Sequence, residues 1–222
     1  MKKALLLFMI IPFFSFGQEW SAGLKIIPQE NINIGSNVAT SNSKYISSIS
    51  TSFGLNYKFC YNLRSYYSHN KNSFSIEALY MNSHLFYTRK DVELPTTDFS
   101  FKSIEIPLIF QSRNDDWGFY GEAGLGYFCI LSKDVSPSNS IQLAFNNSNI
   151  DGIIGIGLDN KLNKGIILTI GLRGYYPLFD MTSNLYHDKN YQSTHIVRFG
   201  SVLAVMYYFD YFNSNMHHSR HH

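Results

Sequence analysis

Apolar and polar residues alternate with a period of two along most of this chain, and no apolar face at helical spacing is sustained over a long segment. This period predicts β-strands with one apolar and one polar face. Most of the segments exceed the roughly five or six residues of a usual globular strand. They suit the wall of a membrane barrel, where about 9–11 residues cross the apolar layer and the remainder projects beyond it. The eight segments are 19–27, 48–63, 74–87, 99–113, 117–131, 151–162, 165–178 and 194–211.

The connections between these segments alternate in length. Outer-membrane barrels show such an asymmetry, with long loops outside the cell and short turns in the periplasm. A soluble meander has no physical reason to sort its loops in this way. The sequence therefore predicts an all-β fold, a closed up-and-down antiparallel transmembrane β-barrel of eight strands. The long connections are 28–47, 88–98, 132–150 and 179–193, and the short ones are 64–73, 114–116 and 163–164.

The residues on the two faces of each strand indicate which face contacts lipid and which faces the interior of the barrel. In segment 165–178, Leu168 and Leu172 share one side, and Thr169 and Arg173 share the other. Only 15% of the chain is charged, against roughly 25% in an ordinary soluble domain. The polar faces hold one or two charges each, diluted by Gly, Ser and Thr, whereas a water-facing side would carry many Lys and Glu residues. We expect the apolar side to face lipid and the polar side to face a narrow lumen.

The charges on the predicted lumenal side nearly cancel. Isolated charges in a confined interior are costly, so each needs an oppositely charged partner. We predict a paired network that plugs the barrel, with Arg173 and Arg198 on adjacent strands as its basic side. The carboxylates could instead form a catalytic acid/base pair. A role in filling the lumen is favoured, because the interior of an eight-stranded barrel is just wide enough for side chains. The predicted network comprises Lys25, Lys58, Glu77, Glu105, Glu122, Arg173 and Arg198, with Asp151 or Asp159.

The N-terminus has the pattern of a cleaved secretory signal. Lys2 and Lys3 precede an uncharged run over residues 4–14, and Ser15 and Gly17 supply the small residues that a cleavage site requires. The run is well short of the roughly 20 residues of a membrane-spanning helix. We predict a signal peptide over residues 1–17, an outer-membrane β-barrel over 18–212 and a flexible C-terminal tail over 213–222.

The charge balance argues against a nucleic-acid partner. The chain has 18 Lys and Arg against 16 Asp and Glu, and removal of Lys2 and Lys3 leaves 16 against 16. Nucleic-acid binding depends on a surplus of clustered basic residues. We also expect no cofactor and no metal, because the His-rich run over 217–222 has no fixed geometry and is interpreted as a flexible tail.

Three stretches resemble a known family. Residues 103–109, Ser-Ile-Glu-Ile-Pro-Leu-Ile, resemble the central strand signature of the eight-stranded outer-membrane β-barrel family often labelled porin-family or PorT-like. Residues 118–127 look like its following strand, and residues 151–157 are similar to its Gly-rich sixth strand. The resemblance implies a barrel in the outer membrane of a Gram-negative bacterium, inserted by the barrel-assembly machinery, and it implies little about ligand or activity. Pro107 lies where a ladder donor is expected, so we predict a bulge or a register offset there.

Aromatic residues at the predicted strand ends favour anchoring at the membrane interfaces over ligand stacking. The expected interface aromatics are Trp20, Trp117, Tyr207, Phe209 and Tyr211.

For function, we expect a monomeric, non-enzymatic outer-membrane barrel that presents four surface loops for adhesion or ligand contact. Its ligand is not identified by the sequence, and a diffusion pore is disfavoured because porins use about 16–18 strands. One alternative is a soluble, lipocalin-like binding barrel. Another is a lipid-modifying enzyme at the outer rim, without a nucleophile motif such as G-x-S-x-G. Its candidate residues are Ser83, His84, His187, Ser193 and His195.

Overall fold

The computed structural model describes residues 19–34, 43–46, 48–61, 70–89, 97–114, 117–136, 146–163, 165–180 and 195–209. Throughout these ranges the regular elements are β-strands. No helix in these ranges is long and apolar enough to cross a membrane. The strands are β1 (Glu19–Ile34), β2 (Ser43–Ile46), β3 (Ser48–Tyr61), β4 (Asn70–Arg89), β5 (Thr97–Asn114), β6 (Phe119–Ser136), β7 (Ser148–Asn163), β8 (Ile166–Pro177) and β9 (His195–Tyr208).

The strands close into a ring of eight antiparallel neighbours. The order around the wall is β4-β3-β1-β9-β8-β7-β6-β5, and pairing of β5 with β4 completes the circle. The short β2 pairs with the outer end of β4, from Phe86 to Arg89, above the β3–β4 ladder. β2 and β3 therefore occupy one position in the ring, next to β4. The predicted closed eight-stranded barrel is confirmed.

The wall presents its apolar side outward. Leu172 is 61% exposed while the next residue, Arg173, is 2% exposed. The same alternation runs along the other strands, so Ile104 and Leu108 are exposed and Glu105 between them is buried. The expected orientation, with apolar residues toward lipid and charges inward, is what the structure shows. An apolar group packs inside the barrel as well, formed by Ile27, Leu79, Ile109, Ile153, Tyr175 and Val202.

β1 continues beyond the predicted end of the first segment. The sequence placed a loop from Pro28 onward, but the strand runs through Pro28 to Ile34. The alternation is maintained there, with Gln29 and Asn31 buried and Glu30 exposed. β1 stays paired with β3 as far as Asn31 and with β9 from Gln29 to Ile34, which holds the strand in place despite the proline.

Pro28 and Pro107 each interrupt one ladder without changing its register. Pairing of β5 with β4 is lost at Ile106 and Pro107, yet Ile76–Leu108 and Leu79–Glu105 keep one register on either side. The prediction of a bulge or register offset at Pro107 is therefore wrong: the missing N–H removes one bond, and continuous pairing with β6 keeps the strand straight. The register between β5 and β6 shifts instead between Lys102 and Ser103, where Leu131 of β6 is the extra residue.

Pro28 has the same effect in the seam between β1 and β9. Pairing stops after Ile26–Leu203 and resumes at Gln29–Gly200 in the same register. In that register Ser201 lies opposite Pro28, so the bond that is lost is the one an N–H at position 28 would donate to the Ser201 carbonyl.

Two short turns close one end of the barrel with glycines in the left-handed region. Gly118 has φ of 68° before β6, and Gly165 has φ of 115° before β8. L-residues rarely adopt these angles. The backbone of Gly118 also accepts a hydrogen bond from the Asp159 N–H at 2.8 Å, which ties this turn to the end of β7.

Candidate functional site

The charged residues of the lumen form three clusters, stacked along the barrel axis. Their order follows from their distance to the short turns along β5, β7 and β8. We call them the lower, middle and upper clusters, the lower being nearest the short turns. The lower cluster is Lys58, Gln111, Arg113, Asp159 and Thr169; the middle cluster is Lys25, Glu77, Glu122 and Arg173; the upper cluster is Glu105, Asp151 and Arg198.

Arg173 is the centre of the middle cluster. Its guanidinium donates to both oxygens of Glu77, at 2.8 and 3.1 Å, and to both oxygens of Glu122, at 2.5 and 3.0 Å. Lys25 binds the Glu77 carboxylate as well. A planar guanidinium suits this arrangement because its five N–H donors form a fixed fork. Two cations and two carboxylates therefore balance in a fully buried site.

The upper cluster repeats this chemistry with Arg198. Its two terminal nitrogens donate to the two Glu105 oxygens at 2.9 and 3.0 Å, and one of them also binds Asp151. The guanidinium lies 4.4 Å from the Tyr175 ring centroid and 5.2 Å from that of Phe128. Ring faces carry negative quadrupole charge, so they add to the attraction for the cation.

Asp159 is the anion of the lower cluster. Lys58 binds its Oδ2 at 2.8 Å, and the Thr169 hydroxyl donates to its Oδ1 at 2.6 Å. Gln111 donates to the same Oδ2 at 3.3 Å, and Arg113 lies 3.8 Å away. Several donors thus satisfy one buried carboxylate, as a charge in a narrow interior requires.

Each cluster joins strands on opposite sides of the barrel. Arg173 on β8 faces Glu77 on β4, Arg198 on β9 faces Glu105 on β5, and Lys58 on β3 faces Asp159 on β7. In the ring of eight, the members of each pair of strands are four positions apart. Each ion pair therefore spans the full diameter, and three of the four diameters are bridged in this way.

Small residues make room for this filling. Tyr120 on β6 is buried, and its ring end lies over Gly157 on β7 and Gly171 on β8. A Cβ atom at either glycine would come within 2.6 Å of the Tyr120 side chain. Gly155 makes space for Glu122 in the same way, with Glu122 Oε1 2.5 Å from where a Cβ would lie. The Gly-rich sixth segment thus provides volume for large side chains from the neighbouring strand.

The sequence-predicted lumenal residues all lie inside the barrel. Both Asp151 and Asp159 are buried there, although the sequence argument required only one of them. Arg173 and Arg198 lie on adjacent strands but belong to different clusters, because each reaches across the lumen to its own acidic partner. Sequence reasoning missed Arg113, which shares the inward parity of Glu105 and Gln111, and it missed the space-filling role of Tyr120.

Several expected interface aromatics lie close together at the end with the short turns. The Trp20 ring centroid is 4.5 Å from that of Phe59, and those of Tyr207 and Phe209 are 5.3 Å apart. Trp117 lies in the turn before β6 and is 83% exposed. Tyr211 lies outside the described residues, as do the predicted signal peptide and tail.

The structure does not bring together the residues of the enzymatic alternative. Ser83 and His84 are successive residues of β4, so Ser83 points into the lumen and His84 points outward. His195 contacts the Pro177 carbonyl oxygen at 3.0 Å and stacks on Tyr176. His187 and Ser193 lie outside the described residues. In the part of the chain that is described, no group of three or more His, Cys, Asp or Glu residues could hold a metal ion.

Solved structures of outer-membrane proteins resemble the barrel at low sequence identity. OprG from Pseudomonas aeruginosa is 14% identical over 86% of this chain and 95% of its own, with a TM-score of 0.48. Ail of Yersinia pestis is 12% identical over 85% and 99%, with a TM-score of 0.37. The outer membrane enzyme PagL is 12% identical over 82% and 97%, with a TM-score of 0.35.

A comparison with curated proteins gives no match. Residues 21–183 match the family described as outer membrane protein β-barrel domain. These residues span β1 to the end of β8 and include every member of the three clusters except Arg198. The chain therefore belongs to the family of outer membrane protein β-barrel domains, and its place is the outer membrane.

Proposed function

We propose that this protein is a closed, monomeric barrel that presents its four long connections at the outer face of the membrane for adhesion or ligand contact, without catalysing a reaction. The observation that carries the proposal is the set of three ion-pair bridges across the lumen. An interior filled from wall to wall leaves the outer connections as the part available to a partner. On this proposal the wall contacts outer-membrane lipid, and the barrel-assembly machinery acts during biogenesis.

The length of the strands supports a role at the surface. β4 has 20 residues, and β5 and β6 have 18 each, whereas about 9–11 residues cross the apolar layer. The excess lies mainly at the end with the long connections, where β4, β5, β6 and β2 continue their ladders. Such a wall lifts the connections away from the lipid surface.

Conductance across a planar bilayer tests whether the lumen is closed. We expect no steady conductance from the wild-type barrel, since side chains fill an eight-stranded interior. A variant carrying Arg173→Ala and Glu122→Ala loses the centre of the middle cluster and should show a leak, whereas exposed Lys102→Ala should not. A steady channel in the wild-type protein would contradict the closed lumen.

Loop replacement tests the surface role. Four variants would each carry a short Gly-Ser linker in place of residues 35–42, 90–96, 137–145 or 181–194. Proteoliposomes with each variant would be bound to immobilised matrix proteins and glycans. We expect at least one replacement to reduce binding by about tenfold, or about 1.4 kcal/mol, with heat-modifiable gel migration retained. Equal binding by the wild type and all four variants would contradict the proposal.

The competing function is a lipid-modifying enzyme, and a deacylation assay on lipopolysaccharide and phospholipid vesicles addresses it. We expect no turnover by the wild-type protein, because Ser83 and His84 face opposite sides of the wall and a nucleophile needs its base within hydrogen-bond reach. Turnover that His84→Ala or His195→Ala abolishes, in a folded barrel, would replace the surface role with an enzymatic one.

A further inference from the structure

The three lumenal clusters differ in net charge. The middle cluster balances two cations against two carboxylates. The upper cluster has the carboxylates of Glu105 and Asp151, and Arg198 is its one cation among the described residues. With both carboxylates ionised, two negative charges against one positive charge leave one negative charge inside the barrel. A buried charge without a partner is costly, because the interior cannot solvate it as water does.

Glu105 and Asp151 meet at a single nitrogen atom. Arg198 Nη2 donates to Glu105 Oε1 at 3.0 Å, and the same nitrogen binds Asp151 Oδ2. The two carboxyl groups are therefore close enough to repel each other strongly when both are ionised. Carboxyl groups that share a site in this way hold one proton between them, because two like charges at such a distance cannot both persist.

The donors of the upper cluster also leave one carboxyl oxygen over. Arg198 donates to both oxygens of Glu105 and to one oxygen of Asp151. Among the described residues, nothing donates to the remaining oxygen, Asp151 Oδ1. Each carboxylate of the middle and lower clusters has a donor on both of its oxygens. A protonated carboxyl group accepts fewer hydrogen bonds than an ionised one, so the shortage of donors agrees with a bound proton.

Apolar side chains separate the upper cluster from the cations of the middle cluster. The apolar group inside the barrel includes Leu79, Ile153 and Tyr175. Tyr175 is two residues from Arg173 on β8, and Ile153 is two residues from Asp151 on β7. This group therefore fills the space between the two clusters. The cations of the middle cluster are in addition occupied by their own two carboxylates.

The other ionisable residues on the neighbouring strands do not supply the missing positive charge. On β6, Phe128 lies beside the guanidinium, and Lys133 follows it by five residues, roughly 16 Å along the strand. On β9, His195 precedes Arg198 by three residues and so faces outward. On β8, the ring of Tyr175 lies against the guanidinium as a phenol.

We propose that Glu105 and Asp151 form a proton-binding site, in which the pair holds one proton at neutral pH and shares a single negative charge opposite Arg198. The ligand is the hydrogen ion. A metal cation is disfavoured because no group of three or more His, Cys, Asp or Glu side chains in the described ranges could hold one. Release of the proton would place a second negative charge beside the first and weaken this bridge. The site is independent of the surface role of the long connections.

The pH dependence of unfolding tests the site in the full barrel. The folded pair holds a proton that the unfolded chain releases, since ordinary carboxyl groups are ionised between about pH 6 and pH 8. While the pair keeps its proton, the unfolding equilibrium constant should rise about tenfold per pH unit, or about 1.4 kcal/mol, so stability falls as the pH rises. The measurement is urea-induced unfolding in micelles. Histidines titrate in the same range, so the decisive quantity is the difference between the wild type and a variant with the same histidines.

Two variants remove the surplus charge. Asp151→Asn and Glu105→Gln each leave one carboxylate opposite Arg198, so each should lack this tenfold change per pH unit. Glu30→Gln is the control, because Glu30 lies on the outward face of β1, and it should keep the pH dependence of the wild type. Equal pH dependence in the wild type and in Asp151→Asn would overturn the proposal.

Infrared spectroscopy of the wild-type barrel provides a second measurement that needs no unfolding and no variant. At neutral pH we expect the carbonyl band of one protonated carboxyl group, and its absence would overturn the proposal even if both variants fail to fold. A metal cation is distinguished by the buffer. Stability that depends on sodium in place of choline, and not on pH, would assign the balancing charge to that cation and would equally overturn the proposal.

Discussion

At the scale of single residues, Arg173 shows how a full positive charge can remain buried in the lumen of the barrel. Its guanidinium keeps its proton in proteins, so it cannot become neutral to escape the cost of desolvation. Glu77 and Glu122 occupy its N–H donors from two different strands. Replacement by lysine would keep the charge but lose the fork that reaches both carboxylates.

Arg173→Met should destabilise the barrel by about 3–5 kcal/mol, because it leaves Glu122 buried without its partner. The measurement is urea-induced unfolding in detergent micelles, followed by tryptophan fluorescence. Lys102→Met, an exposed position on β5, is the control and should change the free energy of unfolding by less than about 0.5 kcal/mol. Equal effects of the two substitutions would show that the lumen is wet enough to solvate a free carboxylate.

Gly171→Ala should cost about 1–3 kcal/mol of stability, since a Cβ would lie 2.5 Å from the Tyr120 hydroxyl and 2.7 Å from the Ile156 carbonyl oxygen. Adding Tyr120→Phe removes the hydroxyl and should recover part of the loss in the same unfolding assay. Gly121→Ala, which meets nothing within 4 Å, should be nearly neutral. If Gly171→Ala leaves the free energy of unfolding unchanged, the Tyr120 side chain does not limit the space at Gly171.

At the scale of strands, the period of two determined most of what the sequence could predict. Parity alone assigned Leu172 to the outside and Arg173 to the inside, because successive side chains of a strand point in opposite directions. Parity also assigned Arg198 and Glu105 to the lumen, but it could not pair them. Which residues meet across a barrel depends on strand tilt and stagger, and these are properties of the closed wall.

Prolines in strands were the harder feature to interpret from sequence. A proline removes one donor, which suggests an edge, a bulge or a strand end. Pro28 and Pro107 are none of these, because each remains paired on its other side. Both strands therefore continue through the proline, so the loop predicted from Pro28 onward and the bulge predicted at Pro107 were wrong.

Pro107→Ala should restore the missing bond to β4, where Glu77 lies opposite in the register. We expect slow hydrogen exchange of the new amide at position 107, similar to that of its neighbours in β5, and a gain of about 0.5–1.5 kcal/mol. Nuclear magnetic resonance in micelles measures the exchange of this single amide. Pro177→Ala at the end of β8 is the control. Rapid exchange at position 107 alone would show that the strands are held too far apart there to pair.

At the scale of the whole molecule, the two tryptophans of the chain report how the barrel sits in the membrane. Trp117→Phe leaves Trp20 as the single fluorophore among the aromatic residues at the end with the short turns. Its fluorescence should be quenched more by lipids brominated near the headgroup than by lipids brominated near the chain end, because aromatic girdles lie at the interfaces. Stronger quenching at the chain end would place the Trp20 end of the barrel deeper in the membrane than the aromatic girdle predicts.

The strands extend to unequal distances at the end of the barrel with the long connections. β6 pairs with β7 only as far as Cys129–Ser148, yet it runs seven residues further to Ser136, paired with β5 up to Asp98. Seven residues of strand measure roughly 23 Å before tilt is considered. Among the described residues the wall is therefore taller on its β4–β5–β6 side than at β7. We expect a partner that rests on both sides to need a stepped or curved face of its own.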